Sequence, residues 1–335
     1  MTDPRIAIYG FGRIGRQLFR SAIRQNIFTP VAICDIFSAE TLGALLAVDS
    51  NYGYWGDILP DANSIIVGDL AIPFINSSDA VPDWASLEVD LVVDCTGRGV
   101  TRANAQAHLD RGAKHVLVSG PSKTLDDCDA VLLAGINLGE FDPQAHKIIS
   151  MASCTTNALA PVVKILLEAT GIRQGIFSTV HAYTNTQSLT DQPMRDRRDS
   201  WAAAENIIPS TSGAAKALRF IWPNLEVTGK AYRVPVKTGS IVELNVIPER
   251  PISEHDLKEL FRTAATRSDL AGIMTVLEGE WVSSRIVGDS HSSIIDMPLT
   301  QVVSEDLISV AAWYDNEAGF SMRLAETAAF LAARI

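Results

Sequence analysis

The tightest constraint on this chain lies near its start. Residues 5–9, Arg-Ile-Ala-Ile-Tyr, read as a short apolar strand, and Gly10-Phe11-Gly12-Arg13-Ile14-Gly15 follows with no spacer. Ile14, Leu18, Phe19, Ala22 and Ile23 then recur at helical spacing. A second apolar run over 30–34 ends in Asp35, 20 residues beyond Gly15. Strand, glycine loop, helix, second strand and acid, in that order, describe a dinucleotide-binding unit. Its glycines let the backbone turn tightly and approach a pyrophosphate, which sits at the positive end of the helix. Asp35 would accept hydrogen bonds from the adenosine ribose and repel a 2′-phosphate, so NAD is the expected cofactor.

The pattern continues through the first half. Runs at 89–94 and 115–119 read as buried parallel strands, separated by a helix over 102–111 that Gly112 ends. Thr96 and Ser119 fall at the carboxyl ends of these strands, where open parallel sheets bind ligands. Residues 1–150 are therefore expected to form a Rossmann-type parallel-sheet domain of α/β class.

With 335 residues, 47% hydrophobic and 20% charged, the chain has room for a second globular domain. A net charge of −11 repels nucleic acid and anionic membranes alike. No apolar run approaches the ~18 residues of a membrane span. The opening Met1-Thr2-Asp3-Pro4-Arg5 lacks the basic-then-apolar pattern of a leader. The four cysteines show neither CxxC pairing nor zinc-ligand spacing, so no metal is expected. Four scattered thiols suit a reducing compartment, and a cytoplasmic location is expected.

Chemistry concentrates in the second half. Cys34 falls inside a strand and Cys95 reads as a packed residue. Cys128 lies among acids in Asp126-Asp-Cys-Asp129, which would raise its thiol pKa. Cys154, in Ala152-Ser153-Cys154-Thr155-Thr156-Asn157, falls at or near the start of a helix, where the dipole favours a thiolate. Pro161 should kink that helix or break it after its first turn. A buried cysteine beside a helix cap fits equally well until His181 is considered. That histidine follows the strand 175–180, and Cys/His is a minimal activated nucleophile, although separation in sequence does not establish the pairing. Ser212 and Gly213 precede a further helix and offer an anion cradle, and Arg233 could clamp a phosphate bidentately.

Tyr9-Gly-Phe-Gly-Arg-Ile-Gly-Arg16, Ala152 through Asn157, His181 through Gln187, Asn206 through Lys216, Arg233-Val-Pro235 and Trp313-Tyr-Asp-Asn-Glu317 resemble the phosphorylating (type I) glyceraldehyde-3-phosphate dehydrogenase family, in family order along nearly the whole chain. The resemblance implies a Cys154 hemithioacetal and thioester with His181 as base. It implies substrate phosphate on Thr184, Thr186 and Arg233, and attacking phosphate near Ser153, Thr155, Ser212 and Gly213. Cofactor contacts are implied at Gly10, Phe11, Gly12, Arg13, Ile14, Gly15, Asp35, Thr96, Ser119 and Asn316. It further implies a homotetramer, and a catalytic domain over 151–315 with a mixed, largely antiparallel sheet, the C-terminal helix 316–335 packing back on the first domain. Gln192, on a loop that approaches the ribose in the family, leaves some NADP use open. Tyr9, Ala158, Lys237, Ala318 and Phe320 depart from the family pattern. They bear on which aldehyde is used, and keep erythrose 4-phosphate oxidation as the nearest rival, with a non-catalytic nucleotide-binding adaptor as the remote one.

Overall fold

The computed structural model describes residues 4–78 and 80–335, so residues 1–3, where the leader was sought, lie outside the described residues. The chain divides into two compact units: Met1–Ala152 with Ser321–Ile335, and Ser153–Phe320.

The first unit is built on a nine-stranded sheet. Its parallel part runs, in spatial order, Ala130–Val131, Ile148–Ser150, His115–Val118, Leu91–Asp94, Ile6–Tyr9, Ala32–Asp35 and Leu70–Asn76. Both faces of the central strands are covered, which is why they read as unbroken apolar runs: Ile6, Ile8, Leu91, Val92, Val93, Val116 and Leu117 are fully buried. Each large aliphatic side chain so buried contributes about 1.5–3 kcal/mol. One edge departs from the expected parallel plan. Ile58–Asp61 and Ser64–Val67 form an antiparallel hairpin that continues into Leu70–Asn76. Its first turn is closed by Asp61, which accepts from the Asn63 N–H at 2.8 Å.

The second unit carries an eight-stranded mixed sheet. Ile208–Thr211, Val227–Val234, Gln174–Ala182, Ser240–Ile247, Leu307–Tyr314, Ser293–Asp296 and Met274–Leu277 lie side by side, and Gln301–Val303 adds to Leu307–Tyr314. Most pairings are antiparallel. Gln174–Ala182 runs parallel to Val227–Val234, and that register sets His181 opposite Arg233.

The helix Cys154–Ala169 is continuous, with Pro161 inside it. The expected break after the first turn does not occur. Ala158, Leu159, Ala160, Val162 and Val163 are all buried around the proline, so packing on every side holds the helix through the lost hydrogen bond. The final helix, Ala318–Ala332, has its residues from Ser321 onward in the first unit. Among the described residues no helix is long and apolar enough to cross a membrane.

Candidate active site

The glycine loop of the first unit has the shape an anion requires. Gly10 sits at φ +91, and a Cβ there would lie 2.8 Å from Thr96. A Cβ on Gly15 would fall 2.1 Å from the Gly10 carbonyl oxygen, so the helix Arg13–Arg24 can approach the loop only with glycine at that position. Gly12 faces open space within 4 Å. No side chain caps the helix at Gly12.

Asp35 is already engaged on its own chain. Its carboxylate accepts from the Phe11 N–H at 2.6 Å and the Phe37 N–H at 3.0 Å, fixing it across the loop mouth. Phe11 offers little else, because its ring is fully buried against Phe19. Arg13 pairs with Asp49 at 3.2 Å, and the Arg13 guanidinium helps hold that carboxyl below its ordinary range against the opposing effect of burial. Thr96 donates to Asp94 at 2.6 Å, and the Ser119 N–H donates to the Asp94 carbonyl at 3.0 Å. The loops after two neighbouring strands are thereby tied to one aspartate. Glycine turn, uncapped helix end and an acid at the end of the second strand together fit a dinucleotide.

In the second unit Cys154 is the first residue of its helix. Ser153 caps that helix, accepting from the Thr156 N–H at 3.1 Å, while the Thr156 hydroxyl returns to Ser153. Ala152, immediately before, is held at φ +55, a conformation that costs a non-glycine residue energy and fixes the entry to the helix. His181 Nε2 lies 3.4 Å from Cys154 Sγ, so the structure brings the two residues together.

Burial raises the thiol pKa of Cys154, opposed by the Arg233 guanidinium and by hydrogen bonding to Thr155. Cys34 and Cys95 are pushed far up, chiefly by burial. Cys128 is raised as expected, but burial is the larger cause and the neighbouring carboxylates the smaller. Cys154 alone combines a helix start, a cation and an imidazole. His181 is pushed down to about 3, by burial first and by Arg233 second. At neutral pH it is an uncharged imidazole, able to take a proton.

The other expected residues fall into separate groups. Arg233 Nη1 lies 2.6 Å from His181 Nδ1 and 3.4 Å from the Ala182 carbonyl, and its Nε is buried without a partner. Its observed contacts are to the imidazole and not to the threonines. Thr184 and Thr186 hydroxyls meet at 2.9 Å, with Gln187 bonded to both. Ser212 accepts from the Ala214 N–H at 3.3 Å, and Gly213 precedes the helix Ala214–Ile221. Asn316 is buried. Its Oδ1 faces the Gly239 N–H at 3.3 Å and the Ser240 hydroxyl at 3.1 Å, which turns its amide N–H groups elsewhere.

Tyr314 and Thr179 were not anticipated from the sequence. The Tyr314 hydroxyl is fully buried between Thr155 Oγ1 at 3.0 Å and Thr179 Oγ1 at 2.8 Å, and its ring packs edge-on against His181. A signal was present: Ile308, Val310, Ala312 and Tyr314 alternate on the buried face of Leu307–Tyr314. A tyrosine on an inward row needs a partner for its hydroxyl. Among the described residues no cluster of His, Cys, Asp or Glu could hold a metal ion.

Comparison with known proteins gives two family matches. Residues 4–102 match the glyceraldehyde 3-phosphate dehydrogenase NAD binding domain, and residues 153–316 match the C-terminal domain of the same family. Among curated relatives, a glyceraldehyde-3-phosphate dehydrogenase of Kitasatospora aureofaciens is 45% identical, covering 98% of this chain and 99% of that protein. Glyceraldehyde-3-phosphate dehydrogenase 2 of Streptomyces arenae is 42% identical over 98% of each chain. A glyceraldehyde-3-phosphate dehydrogenase of Geobacillus stearothermophilus is 39% identical, again over 98% of each chain.

Proposed function

The chain belongs to the glyceraldehyde-3-phosphate dehydrogenase family, and on that premise we propose that it converts glyceraldehyde 3-phosphate and inorganic phosphate to 1,3-bisphosphoglycerate through Cys154, with reduction of NAD. The observation that carries this reading is the 3.4 Å approach of His181 Nε2 to a thiol seated at a helix start.

The roles follow from the chemistry of each group. The Cys154 sulfur adds to the aldehyde carbon, giving a hemithioacetal whose hydroxyl proton passes to His181 Nε2. NAD held at the glycine loop would supply the hydride acceptor, leaving a thioester on the Cys154 sulfur. Inorganic phosphate then attacks the thioester carbon, releasing the acyl phosphate and restoring the thiolate. The uncapped helix at Gly12, the Asp35 carboxylate and the loops at Thr96 and Ser119 would hold the cofactor. Thr184, Thr186 and Arg233 are assigned to the substrate phosphate, and Ser153, Thr155, Ser212 and Gly213 to the attacking one. The Thr155 hydroxyl lies 3.0 Å from the Tyr314 hydroxyl.

The test is NADH formation from glyceraldehyde 3-phosphate with and without phosphate. Wild-type turnover should depend on phosphate, and Cys154→Ser should abolish it while leaving NAD binding in place. Phosphate-independent turnover, or an active serine variant, overturns the reading.

Two further assignments belong to the same proposal. A homotetramer is supported by a groove of about 410 Å³ lined by Arg198, Trp201, Asn206, Ile207, Ile208 and Pro209, with Trp201 and Ile207 exposed beside it. Light scattering on the purified chain tests it. A cytoplasmic location is supported by four cysteines that are all free.

A further inference from the structure

Gln187, Thr184 and Thr186 form a closed ring of hydrogen bonds, and the direction of each bond follows from its partners. The Thr184 N–H can only donate, so the amide atom it meets at 3.0 Å is Gln187 Oε1. The Asp199 carboxylate can only accept, so the amide atom 2.9 Å from it is Gln187 Nε2. Two independent partners therefore fix the same orientation of the amide. The Thr184 hydroxyl lies 3.1 Å from Oε1 and must donate to it, which uses its one proton. The Thr186 hydroxyl, 2.9 Å away, must then donate to Thr184, and it accepts in turn from Nε2 at 2.9 Å. Both threonine protons and both amide protons are committed within this cluster.

The amide is buried, whereas Thr184 is half-buried and Thr186 exposed. The Gln187 N–H also closes the turn on the Thr184 carbonyl at 3.1 Å, so backbone and side chain hold the same four residues. Toward solvent the two hydroxyls are left with oxygen lone pairs, which repel an anion.

We propose that Gln187 is a positioning residue for capture of the substrate's phosphate, and that the ring opens at one defined bond to admit it. A phosphate dianion draws the Thr184 hydroxyl off Oε1 by rotation about its C–O bond, and no bond to hydrogen breaks. Oε1 keeps the Thr184 N–H, so the amide stays paired and its orientation is unchanged. What remains is a directed chain. Nε2 donates to Thr186, Thr186 to Thr184, and Thr184 to the phosphate, each bond polarising the next. One neutral hydrogen bond is exchanged for a charge-assisted one, about twice as strong. A neutral hydroxyl offers no such gain and leaves the ring closed, so the ring favours a phosphorylated aldehyde over a plain one. The proposal rests on the assignment of Thr184 and Thr186 to the substrate phosphate, and adds the buried amide that aims them.

The experiment is calorimetry with glycerol 3-phosphate, paired with kinetics on phosphorylated and unphosphorylated glyceraldehyde. Gln187→Met keeps the length of the side chain and removes both its donor and its acceptor. It should weaken glycerol 3-phosphate binding at least about tenfold. It should lower kcat/KM at least about tenfold for glyceraldehyde 3-phosphate, but at most about twofold for glyceraldehyde. Thr186→Val changes an exposed residue and breaks the same chain one link later. It should weaken the probe about tenfold in wild type and less than about threefold in Gln187→Met, where that chain is already broken. Equal losses for the two aldehydes would show that Gln187 only supports the loop, and additive losses that Thr186 meets the phosphate without it. Either result overturns the proposal, as does a wild type that does not bind glycerol 3-phosphate. Calorimetry needs no turnover, so a wild type that binds the probe but forms no NADH counts against the enzymatic reading alone.

Discussion

Tyr314→Phe removes one oxygen from a hydrogen-bond chain whose direction the structure fixes. Thr179 Oγ1 lies 3.0 Å from the Ile241 carbonyl, which can only accept, so the Thr179 proton goes there. Tyr314 must then donate to Thr179 at 2.8 Å, and Thr155 must donate to Tyr314 at 3.0 Å. Burial pushes the phenol pKa far up, so it keeps the proton this chain requires across the working pH range. Phenylalanine preserves the ring packing on His181 but deletes two neutral hydrogen bonds, leaving the buried Thr155 hydroxyl with the Cys154 sulfur as its partner. At about 1 kcal/mol for each bond, the loss should be about 2 kcal/mol. Urea unfolding followed by tryptophan fluorescence measures it, and a cycle with Thr179→Val separates the coupling from background effects. No reacting atom loses a contact, so kcat should stay within about fivefold of wild type. A variant within about 0.5 kcal/mol of wild type would show that the hydroxyl chain does not stabilise the site.

Acid should weaken the fold through His181. Its folded pKa of about 3 lies below the ordinary 6.5, so the unfolded chain binds the proton first and stability falls as pH drops below about 6.5. The loss reaches about 2 kcal/mol at pH 5, and His181→Gln should flatten the pH dependence of the urea midpoint between pH 5 and 7.5. Gly15→Ala should cut NAD affinity at least about tenfold and lower Tm, since the new methyl overlaps the Gly10 carbonyl. Gly12→Ala meets no atom within 4 Å, so it should lower NAD affinity while sparing Tm; calorimetry with an NAD titration separates the two. Asp315→Asn sets an amide N–H against the Gly288 N–H, which now donates to the carboxylate at 2.8 Å, and should cost about 1–3 kcal/mol. An unchanged Tm would remove Asp315 as the anchor of that loop.

The dinucleotide loop was legible because its cues are local: glycine spacing, an apolar run on each side and an acid at the second strand's end. The strand read at 89–94 appears as Leu91–Asp94, and the helix read at 102–111 as Arg102–Asp110. The hairpin over 58–67 was missed because its strands are half exposed and carry no continuous apolar run. The intact helix across Pro161 was missed for a related reason. A proline's local cost is visible in sequence, whereas the packing that outweighs it is not. At the site, Cys154 was marked by its place at a helix start, by the candidate base His181 and by the motif around it. The contact of Arg233 with His181 was not, because it depends on two strands 52 residues apart running parallel in a sheet that is otherwise mostly antiparallel.

The first unit is discontinuous along the chain, and this sets a schedule for synthesis. Ser153–Phe320 is a single contiguous stretch that emerges from the ribosome before Ser321–Ile335. Leu324, Ala325, Ala328 and Leu331 of that segment are fully buried, so the cofactor-binding half lacks them until the catalytic half has been synthesised. Its strands are made first, and its C-terminal helix follows the whole of the other half. A nascent chain stalled at Phe320 carries every residue of the catalytic half and an incomplete nucleotide-binding one. A quality-control factor that reads exposed apolar surface would therefore find the longest-lived target in the half that is synthesised first.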